Sequence, residues 1–82
     1  MSRKPISPPR NRATAASLAA LNASNEVAVM AFLEGKVRLV QIPEVVAAVL
    51  DEHVPAAVVS EVALARADRS ARARAAEIIE SL

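Results

Sequence analysis

At 82 residues the chain has room for one small domain, below the size at which a single hydrophobic core is comfortable. Ten Lys and Arg against nine Asp and Glu leave a net charge of +1, which argues against a nucleic-acid footprint spread over the whole surface. There is no cysteine and a single glycine, which excludes a disulfide framework, a thiolate nucleophile, a zinc knuckle and a dinucleotide-binding fingerprint.

Residues 1–12 carry Pro5, Pro8 and Pro9 together with Arg3, Lys4, Arg10 and Arg12, and no acid. Proline removes backbone donors and biases its neighbours toward extended states, so this stretch is expected to be a disordered basic tail. Read functionally, it is an arm for phosphate or an acidic partner; read plainly, it is a solvated leader. No apolar segment follows the basic residues as it would in a signal peptide. No later run approaches the ~18 apolar residues of a membrane span. The expectation is a cytoplasmic chain without a membrane contact.

Residues 13–82 predict an all-α fold, a small three-helix bundle. Hydrophobic residues make up 54% of the chain, but many are alanine and Phe32 is the sole aromatic, so the core is thin in volume. The first helix starts between Thr14 and Asn22, with Thr14, Ser17 or Asn22 as its cap. It ends before Gly35, which can take the left-handed conformation. Leu18, Leu21, Ala28 and Phe32 recur at spacings of three, four and seven and share one face. Asn25 falls in that stripe, and Asn22 lies one turn before Glu26. Buried amides cost free energy unless paired. Asn22, Asn25 and Glu26 are therefore candidates for contacting a ligand or a neighbouring segment; the plainer reading is that they cap the helix.

Val37, Arg38 and Leu39 alternate like a short extended connector. The second helix starts at Gln41 or Ile42, tolerates Pro43 in its first turn, and stops around His53 before Pro55. Its stripe is Ile42, Val45, Val46, Val49 and Leu50. His53, the only histidine, suits a helix C-terminus better than a catalytic or metal role, which needs converging partners. The third helix runs from Ser60, as N-cap, to about Ser81. Leu64, Ala67, Asp68, Ala71, Ala75, Ile78, Ile79 and Leu82 trace its inner face, while Arg66, Arg69 and Arg74 point outward. Asp68 and Arg72 are spaced to pair along the helix. Since Asp68 falls on the apolar face, a bond to Asn22 or Asn25 is a further expectation.

The hexapeptide Leu21-Asn22-Ala23-Ser24-Asn25-Glu26, followed by Val29, Ala31-Phe32-Leu33, Gly35 and Val37-Arg38, resembles the Leu-Asn-Ala-Ala-Asn-Glu segment of 1-deoxy-D-xylulose 5-phosphate reductoisomerases, with Ser24 standing for an alanine. The likeness continues through Ile42, Val45, Val46, Val49 and Leu50 to Ala67-Asp68 and Ala71-Arg72, and covers roughly residues 17–80. It implies the C-terminal helical domain of an enzyme of non-mevalonate isoprenoid biosynthesis. That enzyme rearranges and reduces 1-deoxy-D-xylulose 5-phosphate to 2-C-methyl-D-erythritol 4-phosphate.

In that family NADPH and a divalent metal, Mg or Mn, are bound by preceding domains, and the bundle supports them. The expectation is therefore three helices where the family has four, with no catalytic, cofactor-binding or metal-binding residue in this chain, and inactivity on its own. Asn22, Asn25, Glu26, Asp68 and Arg72 are its candidate structural or interdomain contacts. An apolar groove lined by Val29, Phe32, Val46 and Val49 is expected to dock on a reductoisomerase catalytic domain or to self-associate. The alternative is a small helical interaction module whose basic arm binds an acidic or nucleic-acid partner.

Overall fold

A computed structural model describes residues 10–53 and 60–82. Three helices follow in chain order: α1 (Arg10–Leu33), α2 (Gln41–Glu52) and α3 (Glu61–Glu80). The described residues contain no strand. Both α2 and α3 pack chiefly on α1 and touch each other less. The disordered tail expected over residues 1–12 falls mostly on positions outside the described residues. Its last three, Arg10 to Arg12, lie in α1, which begins four residues before the earliest start expected.

Alanine-rich sequence favours the long α1. Its end is built as anticipated at Gly35, whose φ is +79°. The Gly35 N–H donates to the Phe32 carbonyl at 3.0 Å and the Lys36 N–H to the Ala31 carbonyl at 2.8 Å. This crossed pair is a Schellman closure, which satisfies carbonyls that the helix end would leave open.

Residues 34–40 are turns and bends, not the extended connector that the alternation of Val37, Arg38 and Leu39 suggests. Val37 is buried while Leu39 stays exposed. The Gln41 side-chain oxygen accepts from the Arg38 N–H at 2.7 Å, and the Gln41 and Ile42 N–H groups donate back to Arg38 and Leu39. These local bonds outcompete a strand that would have no partner.

α2 has Pro43 and Glu44 in its first turn and His53 as its C-cap. It buries Val45, Val46 and Val49. β-branched residues are indifferent helix formers, so packing holds this helix. α3 is capped by Ser60, whose hydroxyl accepts from the Ala63 N–H at 3.0 Å. It buries Ala71 and Ala75, with Ile78 and Ile79 packed beside them. Leu82, expected on this inner face, lies beyond the helix and is exposed.

The shared core joins Ala20, Ala23 and Ala28 of α1 to Val45 and Val49 of α2 and Ala71 and Ala75 of α3. Ser24 is the one fully buried polar residue described, and its hydroxyl donates to the Ala20 carbonyl at 2.7 Å. Small side chains let the helices approach closely around a core of little volume.

Candidate functional site

Of the expected stripe, Ala28 is buried in the core, but Leu18, Leu21 and Phe32 are not: the face of α1 that meets the core lies opposite its larger residues. Ala16, Ala20, Ala23, Ser24, Ala28 and Ala31 are buried, whereas Leu18 is 56% and Leu33 69% exposed. Leu21 and Phe32 are also exposed. α1 is apolar nearly all round, so periodicity could not choose its inner face, and close packing of small residues decided it. The stretch Ala15–Leu33 is long and apolar enough in composition to cross a membrane, which corrects the expectation that no run approaches that length. A third of it is buried inside the molecule.

Asn22 and Asn25 lie on this outward face, in mid-helix and exposed, so they neither cap α1 nor sit buried. With Leu18 and Leu21 they line a shallow depression. The groove expected along Val29, Phe32, Val46 and Val49 does not form, because Val46 and Val49 are buried against the other helices.

Glu26, Asp68 and Arg72 do come together. Arg72 Nε donates to Asp68 Oδ1 at 2.6 Å along α3, and Arg72 Nη2 donates to Glu26 Oε1 at 2.8 Å across to α1. Asp68 bonds Arg72, not Asn22 or Asn25 as expected; the guanidinium reaches α1 in its place. The bond from Asp68, then that from Glu26, holds Arg72 even more firmly protonated than usual. Behind the Glu26–Arg72 pair, α1 and α3 enclose a groove of about 270 Å³ floored by Val27, Met30, Ala31, Ala76 and Ile79.

A second ion-pair cluster escaped the sequence reading. Arg74 grips both carboxylate oxygens of Glu52, at 2.7 and 3.0 Å, and also donates to Glu77 at 3.0 Å. The Arg74–Glu77 spacing of three was visible in the sequence, but the cross-helix fork to Glu52 was not. Its hydrogen bonds push the Glu52 carboxyl below the ordinary carboxylate range and Arg74 further up. His53 sits beside it at the end of α2, as its position suggested; its Nε2 is buried and has no hydrogen-bond partner among the described residues.

No three His, Cys, Asp or Glu side chains among the described residues are grouped so as to hold a metal ion. The carboxylates of Glu26, Asp68, Glu52 and Glu77 are each bonded to a guanidinium. The one glycine of the chain closes a helix. What the arrangement offers is a surface: an uncharged strip on α1, edged by the Glu26–Arg72 pair.

Residues 10–74 match the family of the DXP reductoisomerase C-terminal domain. Similar relatives are three 1-deoxy-D-xylulose 5-phosphate reductoisomerases. That of Moorella thermoacetica is 47% identical over 78% of this chain and 17% of the relative. That of Psychromonas ingrahamii is 45% identical over 73% and 15%, and that of Pseudomonas syringae pv. tomato 44% identical over 76% and 16%. The chain thus matches under a fifth of the length of these curated relatives. No solved structure matches it.

Proposed function

The chain belongs to the DXP reductoisomerase C-terminal domain family, and on that premise we propose that it is a supporting module which docks on the catalytic part of a 1-deoxy-D-xylulose 5-phosphate reductoisomerase. In this reading NADPH, a divalent metal and the sugar phosphate are bound by that other part. The module works in the cytoplasm and performs none of the rearrangement or reduction itself.

One observation carries the proposal. α1 already covers its inner face with α2 and α3, yet its outward face presents Leu18, Leu21, Phe32 and Leu33 to solvent. A helix that is apolar on both sides belongs between two layers, and the described residues supply one of them. The absence of Lys, Arg or Asp from the centre of this face favours a protein surface over a phosphate-rich partner.

The test uses a reductoisomerase shortened so that the C-terminal segment matching this chain is gone. Substrate-dependent NADPH oxidation is followed with that enzyme alone, with the 82-residue chain added, and with the chain alone. The expected result is turnover in the mixture only. A mixture that stays silent while circular dichroism shows the chain helical would overturn the reading.

A further inference from the structure

Two amides stand in the middle of the outward face of α1, and the other described residues give them no partner. Neither Asn22 nor Asn25 makes a side-chain hydrogen bond among the described residues; the polar side chain bonded within α1 is Ser24, to Ala20 and Leu21. Asn is a weaker helix former than Ala, Lys or Glu. If the face needed only to stay soluble, Lys or Glu would serve it with better helix propensity. Two neutral amides among leucines are instead what a face needs when it must lose its water against something polar but uncharged. A charge there would have to be desolvated on docking. The carboxylate that follows Asn25 in the chain, Glu26, is bonded to Arg72 at 2.8 Å.

A carboxamide carries the same donor and acceptor pair as a peptide group. Residues spaced i, i+3 on a helix stand about 5–6 Å apart at Cβ, within reach of neighbouring peptide units of one extended segment. Resting on the docking function proposed above, we infer that Asn22 and Asn25 bind unpaired backbone N–H and C=O groups of an extended or loop segment in the catalytic part of the enzyme. Leu18 and Leu21, which wall the same depression, take that segment's apolar side chains. Loop backbone must find partners when it is covered, and the two amides supply them.

The full 82-residue chain is titrated into a reductoisomerase that lacks its own matching segment, with circular dichroism confirming that each variant is helical. The double variant Asn22→Leu/Asn25→Leu is expected to weaken binding by about tenfold or more, because the partner's backbone groups lose their bonds. A face that merely excludes water would keep or gain affinity with leucine there, and that result overturns the inference. Raising NaCl from ~50 to ~500 mM is expected to change the affinity less than about threefold, since a steep loss would mean a charged partner and overturn it. Sedimentation showing the chain alone as a dimer that the double variant dissolves would assign the face to a second copy, and also overturns it. Failure of the unaltered chain to bind sinks the docking function as well, whereas unaltered binding by the leucine variant sinks the amide contact alone.

Discussion

Arg72 and Glu26, separated by 46 positions in sequence, meet at 2.8 Å and tie α3 to α1 beside the outward face. Asp68 holds the same guanidinium from below at 2.6 Å, which fixes its direction. Both ends are substantially solvated, so the pair adds little to stability. Its consequence is geometric: the carboxylate at the edge of the docking strip is neutralised and held. Glu26→Gln and Arg72→Met should each lower Tm slightly. A double-mutant cycle should show a small favourable coupling that shrinks with added salt. Additive effects at low salt would mean that the pair does not form in solution.

Gly35 should matter more than either. Its φ of +79° lies where a Cβ is strained, and a Cβ added there would meet no atom within 4 Å. Gly35→Ala should therefore cost about 1 kcal/mol through the backbone alone. Gly35→Asn should cost less, since Asn tolerates the left-handed region. Thermal melts of the two variants separate this from a packing effect, which would penalise the larger Asn more.

Apart from the start of α1, the helix ends were legible because their signals are local: Gly35 after α1, Pro43 inside the first turn of α2, Ser60 before α3. The Asp68–Arg72 pair was legible for the same reason, being one turn apart. The orientation of α1 was not. Large residues mark a buried face only when the opposite face is polar, and in α1 the opposite face is alanine. The core therefore formed on Ala20, Ala23 and Ala28, and Asn25, expected in the inner stripe, stands outside with Asn22. The start of α1 at Arg10 was missed because no capping residue or apolar period announces it.

Ser24 shows how tight the alanine core is. It is fully buried and spends its hydroxyl on the Ala20 carbonyl one turn back. Such back-bonding slightly weakens a helix, and Ala is the better helix former. Ser24→Ala should leave stability unchanged or raise it by a few tenths of a kcal/mol. Ser24→Leu should cost about 1–3 kcal/mol by overpacking the close contact around α1. Denaturant midpoints at constant slope would check both. A large loss from Ser24→Ala would show that the hydroxyl has a partner beyond its own helix.

The Arg74 fork sets an acid limb. Hydrogen bonding to Arg74 lowers the Glu52 pKa in the folded chain, so the unfolded chain binds the proton more readily. The contribution is complete above the ordinary glutamate value of ~4.3 and fades as pH falls through the depressed folded value. Tm should accordingly drop below about pH 4, and the Arg74→Met variant should show a shallower drop over the same window. Identical slopes in the two proteins would place the acid sensitivity elsewhere.

Leu18 separates docking from folding. It is 56% exposed on α1, away from the core cluster, so a charge there meets only water in the free chain. Leu18→Lys should hold stability within about 0.5 kcal/mol, the usual range for surface changes. In the docked state the same ammonium would be buried in an apolar contact without a counter-charge, at a cost that a modest interface cannot absorb. Rescue of the shortened reductoisomerase should therefore fail while the melting curve stays in place. If rescue survives, the outward strip is not the docking face. If the melting curve collapses as well, Leu18 is part of the fold, and α1 is packed the other way round.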